Sequence, residues 1–126
     1  MNEKASPSQV VQAFFDAMAT GDVVEARACW DEQAVWHLTG SHELARDYSR
    51  TGYFEMLRSW HSAYPSYKAD VIDIRDYGDQ VALVYMESVG GMAPWPASGM
   101  MVYRVVSGTI REGWGIPTFE SGRFPF

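Results

Sequence analysis

A tyrosine and a carboxylate, Tyr103 and Glu112, stand at equal distances on either side of the Ser107-Gly108 step in the last quarter of the chain. If those two residues form a two-residue hairpin turn, counting outward sets Tyr103 opposite Glu112 and Met101 opposite Trp114 on one face of the ladder. A carboxylic acid beside a phenol in an apolar hollow can act as an acid/base pair, because loss of water raises the acid's pKa toward neutrality. Glu112 and Tyr103 are therefore the first candidates for catalysis. Two alternatives stand beside that reading: Glu112 hydrated at a rim, or Glu112 paired with an arginine. A bulge at the turn would also reverse which side chains share a face. Glu87 is a third candidate, the one charge on the Val81, Leu83, Tyr85, Glu87, Val89 face, with exposure at a strand end as its alternative.

The histidines offer less. In "EQAVWHLTG" (residues 32–40) strand alternation puts Trp36 and Leu38 on one face and Val35 and His37 on the other. If Trp36 faces a pocket, His37 points away from it, toward an interface or a hydrogen bond with a neighbour. His42 and His61 have no partner at i, i+4 spacing, and with one cysteine in the chain no metal site is expected. No organic cofactor is expected either. Asp73 reads as a charge that keeps an edge strand soluble, and Asp47 and Tyr48 fall in an irregular segment whose spacing fixes no role.

The elements that must position these residues follow from periodicity. Ser6-Pro-Ser-Gln9 is a capping box with proline at the first helical position, and Val10, Phe14 and Met18 recur every four residues to about Thr20. Gly21 suits a left-handed stop, and Asp22 to Glu25 restarts a second helix expected to bury Val23, Ala26 and Trp30. A strand from Ala34 to Thr39 precedes the irregular "GSHELARDYSR". Tyr53, Leu57, Trp60 and Tyr64 then form a third helix closed by Pro65. From Tyr67 the period becomes two, in four runs joined largely by tight turns, which predicts an antiparallel meander. The one long connection, Gly90 to Ala97, has two prolines around Trp95 and could close over a cavity mouth.

The chain's 126 residues suit a single domain spanning residues 1–126, long enough to bury roughly two thirds of its unfolded surface. Hydrophobic residues make up 47% and aromatics 14%, with five Trp and seven Tyr, a surplus that points to a lined cavity or a large interface. The net charge is -6 and the ten basic residues are scattered singly, so no footprint for a nucleic-acid backbone exists. No apolar run reaches the ~18 residues of a membrane span, and nothing resembles a signal peptide. Cys29 cannot pair internally, and these features together predict a cytoplasmic protein with no membrane partner. A sheet with apolar residues on both faces, as in Leu83, Val84, Tyr85 and Met86, must be covered twice: by helices inside its curve and by another subunit outside.

Four stretches, "FFDAMATGDVVEA", "AVWHLTG", "VIDIRDYGDQVALV" and "MMVYRVVSGTIREGWGIP", in that order, make the chain resemble the nuclear-transport-factor-2-like superfamily, in its SnoaL-like branch of polyketide cyclases and ketosteroid-isomerase relatives. The resemblance implies an α+β fold, a cystatin-like α+β barrel in which a cone-shaped, curved antiparallel sheet wraps the long first helix (αα-β-α-ββββ). It also implies a deep apolar pocket and a homodimer through the outer face of the sheet. Isomerase relatives carry a tyrosine on the first helix, a base aspartate ending the first strand, and a protonated aspartate on the penultimate strand. The matching positions here are Phe14, Leu38 and Met101, all apolar, so base and oxyanion donors are missing and steroid isomerisation is not expected.

The function so implied is cofactor-independent acid/base proton transfer on an apolar cyclic or polyketide-like molecule: cyclisation, isomerisation or dehydration. Phe14, Met18, Trp36, Leu38, Tyr53, Trp60, Met101 and Trp114 would shape the substrate, and Glu112, Tyr103 and Glu87 would act on it. The alternative is a non-catalytic module of the same fold that binds a small ligand or another protein.

Overall fold

The computed structural model describes residues 5–39, 45–89 and 98–118. The first helix, α1 (Pro7–Thr20), begins as its capping box predicts. Ser6 Oγ accepts from the Gln9 backbone N–H at 3.3 Å, and Gln9 Oε1 accepts from the Ser6 N–H at 2.8 Å. Gly21, at φ 80°, ends it in the left-handed conformation that only glycine adopts without strain. Asp22 then caps α2 (Val23–Ala28) by accepting from the Glu25 N–H at 3.0 Å.

Trp30 was expected on α2 but opens the first strand, β1 (Trp30–Leu38). The helix stops because the Cys29 carbonyl, instead of staying in a helical ladder, accepts from the Ile110 N–H at 2.8 Å and draws the chain into the sheet. Val23 is correspondingly half exposed, at 50%, rather than buried. The segment predicted as irregular contains β2 (Arg46–Ser49), whose last residue caps α3 (Arg50–Ala63) by accepting from the Gly52 N–H. The meander follows as β3 (Lys68–Tyr77), β4 (Val81–Val89), β5 (Ser98–Val106) and β6 (Thr109–Thr118). Residues 90–97, the expected lid, and His42 lie outside the described residues.

The strands form one six-stranded curved, unclosed sheet in the order β2-β1-β6-β5-β4-β3. All neighbours are antiparallel except β1 and β6, which run parallel. That pairing brings the first strand against the last and fixes what the concave face presents. Across it, α1 and α3 bury a knot of aromatic rings. Phe14 meets Trp30 at 5.4 Å between centroids, and Trp30 meets Tyr53 at 4.9 Å. No helix among the described residues is long and apolar enough to cross a membrane.

The last hairpin departs from simple counting. Ser107 and Gly108, at φ 52° and 83°, make the expected two-residue turn with both central residues left-handed. The ladder then runs Val106 to Thr109 and Val105 to Ile110, but next pairs Arg104 with Glu112. Arg111 is the extra residue of a bulge. Beyond it every side chain of β6 is turned over relative to the unbulged register. Tyr103 therefore faces Gly113 and Met101 faces Gly115, while Glu112 and Trp114 lie on the other face, opposite Arg104 and Val102.

Candidate functional site

Between α1, α3 and the concave face of the sheet lies a cavity of about 670 Å³, within the ~300–1,000 Å³ typical of small-molecule sites. Each wall has a local cause. On β1, alternation turns Trp36 and Leu38 inward together. Phe14 and Met18 are four apart on α1 and so share a face. Tyr53, Leu57 and Trp60 follow the same rule on α3, and Met101 comes from β5 and Met86 from β4. Of the residues the sequence assigned to a substrate wall, seven border this space: Phe14, Met18, Trp36, Leu38, Tyr53, Trp60 and Met101.

Trp114 does not. The bulge places it on the convex face, where its indole stacks on His37 at 5.4 Å and 23°. The same reversal separates the expected acid/base pair. Tyr103 faces inward but is fully buried behind Trp36, stacked on it at 5.5 Å, and its hydroxyl donates to the Met101 sulfur at 3.3 Å. Burial, with Tyr53 nearby, drives its phenol well above the ordinary value, so it keeps its proton and has no route to a ligand. Glu87 points outward and is exposed: Ala82, Val84 and Met86 take the inward positions of β4, leaving Glu87 on the face of Val81, Leu83 and Tyr85. None of Glu112, Tyr103 and Glu87 borders the cavity.

Apart from the phenols of Tyr53 and Tyr67, the ionisable groups that border it are Asp16 on α1, His61 on α3, and Lys68 and Asp70 on β3, all exposed and hence at the open end. Asp16 accepts from Gln12 Nε2 at 3.0 Å, and the His61 ring packs edge-on to Tyr67 at 5.8 Å. Sequence reasoning weighed His61 only as a metal ligand and passed over Asp16, Lys68 and Asp70. The available signal was their spacing: Gln12 and Asp16 are one helical turn apart beside Phe15, and His61 adjoins Trp60. The buried polar side chain of the cavity wall is Tyr53, whose phenol burial, and next to it Tyr67, hold far above the usual range. It stays protonated and can donate a hydrogen bond to a ligand oxygen.

On the convex face the carboxylates meet a cation instead. His37 Nε2 donates to Glu112 Oε2 and His37 Nδ1 to Asp47 Oδ1, each at 2.7 Å, and Arg104 Nη2 reaches Glu112 Oε1 at 3.4 Å. A neutral imidazole has one N–H, so two carboxylate partners require the doubly protonated ring. Burial works against that charge, but hydrogen bonds to Asp47 and Glu112 and the charges of both outweigh it and raise the pKa. Among the described residues, no group of histidine, cysteine and carboxylate side chains has the geometry to hold a metal ion. The Cys29 thiol, buried and pushed up first by burial and then by Glu25, is poorly suited to nucleophilic chemistry.

The fold recurs in proteins of distant sequence. Bal32a, from a soil-derived mobile gene cassette, aligns with a TM-score of 0.78 at 18% identity, over 90% of each chain. IdmH, a candidate polyketide cyclase from Streptomyces antibioticus, aligns with a TM-score of 0.73 at 21% identity, over 89% of this chain and 91% of that one. A Xanthomonas campestris protein of unknown function with a cystatin-like fold aligns with a TM-score of 0.74 at 16% identity, covering 94% and 95%. No curated protein sequence gives a significant match. The family description SnoaL-like domain matches residues 11–113, from the first helix to the inner half of β6, and the chain belongs to that family.

Proposed function

We propose that the cavity binds an apolar, cyclic small molecule and that the protein catalyses cofactor-free proton transfer on it, of the cyclase type. The observation that carries this reading is the cavity itself. It is a hollow of about 670 Å³ with aromatic and thioether walls, a buried phenol donor, and its carboxylates, lysine and histidine confined to exposed positions at its mouth. Such a wall selects a ring system by shape and apolar contact, while Tyr53 marks where a ligand oxygen would sit. His61 and Asp16 are the groups placed to exchange protons with the part of the ligand nearest solvent. The naming of IdmH as a candidate polyketide cyclase is consistent with this class of substrate.

A second reading, binding without turnover, is favoured by one specific observation: Glu112, Tyr103 and Glu87 all lie outside the cavity. One experiment separates the two. Apolar cyclic phenols and quinones are screened for a rise in melting temperature, and each binder is then incubated with wild type, His61→Gln and Asp16→Asn. Turnover that one of these substitutions abolishes without loss of binding supports the enzyme. Binding with no conversion supports the second reading, and no melting shift with any compound overturns both.

The reading extends to the convex face, where Tyr85 and Met100 are 37% and 43% exposed beside Leu83 and Val102. A second copy of the chain is the partner that would cover them, and a monomer mass by sedimentation would rule that out.

A further inference from the structure

Strand β6 carries full-sized side chains at its convex positions, Glu112, Trp114 and Ile116, and none at the two concave positions between them, Gly113 and Gly115. Neither glycine has a positive φ, unlike Gly21, Gly78 and Gly108, so backbone conformation does not demand glycine at either place. Space does. A Cβ on Gly113 would lie 2.6 Å from Trp36 Cε3 and 2.7 Å from Cζ3, and one on Gly115 would lie 2.6 Å from Cζ2 and 3.1 Å from Leu38 Cδ1. The six-membered ring of the Trp36 indole is thus laid directly on the bare backbone of β6, in the register that pairs Trp36 with Gly113 and Leu38 with Gly115.

Trp36 cannot yield sideways. Tyr103 stacks on it at 5.5 Å and Trp30 meets it edge-on at 6.1 Å. Away from the sheet it meets Tyr53 at 5.2 Å, and the two rings line the cavity together, so a displaced indole would move into that space and press on Tyr53. Restoring an ordinary carbon–carbon separation of ~3.5–4.0 Å would push the indole inward by about 1 Å.

We infer that Gly113 and Gly115 are specificity determinants: they let the Trp36 ring recede into the sheet and so set the depth of the cavity, and with it the largest ring system admitted. This rests on the small-molecule reading of the cavity. The glycines touch no reacting group and act through Trp36 as positioning residues.

The test compares wild type, Gly115→Ala, and Gly115→Ala combined with Trp36→Phe, each checked for cooperative melting. The probes are phenol, 1-naphthol and 2-hydroxyanthraquinone, with dissociation constants measured by calorimetry. Gly115→Ala is expected to weaken the three-ring probe at least tenfold while changing phenol by less than twofold. The double variant, with a smaller ring over the added methyl, is expected to recover most of the three-ring affinity. Uniform weakening of all three probes, or no recovery in the double variant, overturns the inference. If Gly115→Ala does not fold, the double variant still decides it, since it must fold and bind. Wild type that binds none of the probes overturns the small-molecule reading, and this inference with it. Wild type that binds while Gly115→Ala binds identically overturns the inference alone.

Discussion

The His37 cluster makes a prediction whose sign and size both follow from geometry. Replacing His37 with Gln removes a cation held between two carboxylates. The Glu112 contact joins side chains 24% and 29% exposed, and a charge-assisted bond in that setting is worth about 1.5 kcal/mol. The Asp47 partner is 72% exposed, so solvent reduces its contact to about 0.5 kcal/mol. Together they predict a loss of about 2 kcal/mol, or roughly 8 °C in Tm for a domain of this length. Because the folded-state pKa lies above the ordinary 6.5, the native state holds this proton more tightly than the unfolded chain does. The stabilisation is complete below 6.5 and is lost as pH climbs through the raised native value. The groups that face the ring are Asp47 from β2, Glu112 and Trp114 from β6 and, through Glu112, Arg104 from β5. The assay is the Tm gap between wild type and His37→Gln from about pH 5.5 to about pH 9.5, with nitrogen-15 NMR of the imidazole alongside. A gap that stays flat across that range, or a ring carrying one proton at the acidic end, would refute the reasoning.

Four further outcomes are expected. Glu112→Gln should lower Tm yet leave the affinity of any cavity ligand within about twofold, since an unpaired convex-face contact costs stability and not pocket shape; calorimetry on one ligand checks it. Phe14→Ala, at a residue 1% exposed, should cost ~3–5 kcal/mol in urea unfolding through the cavity it leaves. Ser6→Ala removes half of the capping box and should cost ~1 kcal/mol by the same measurement. Ser107→Asn should raise stability by ~0.5 kcal/mol, because asparagine tolerates the φ of 52° better than serine does in a turn of this type; a thermal melt shows it.

What was legible in the sequence was whatever a short local pattern dictates. The Ser6 to Gln9 box, the Gly21 stop and the Asp22 restart need only neighbouring residues, and each stands where expected. That Trp36 and Leu38 share a face followed from alternation alone, and the family resemblance turned that face inward. What escaped depended on partners distant in the chain. Four residues, Arg46 to Ser49, are too few to show a period, and they form a strand because β1 offers them an edge. Trp30 is apolar enough for either a helix face or a strand, and the Ile110 N–H decides between them. The unpaired Arg111 inverts the facing of Glu112 and Trp114, and nothing in the residue types announces it. The candidate catalytic pair was lost to that single residue, and neither Asp16 nor His61 was read as a cavity group because solvent-facing helix positions carry such side chains routinely.

The parallel seam between β1 and β6 also bears on how the polypeptide is made. When residues 30–38 leave the ribosome, the strand they pair with along that edge, residues 109–118, has not yet been synthesised. Until it has, the two halves of the sheet lack their shared member, and the nascent chain carries an open strand edge with Trp30 and Trp36 lacking their final burial. Folding is therefore expected to come late in translation, and a chain stopped short of β6 should be a client for chaperones rather than a partly working protein.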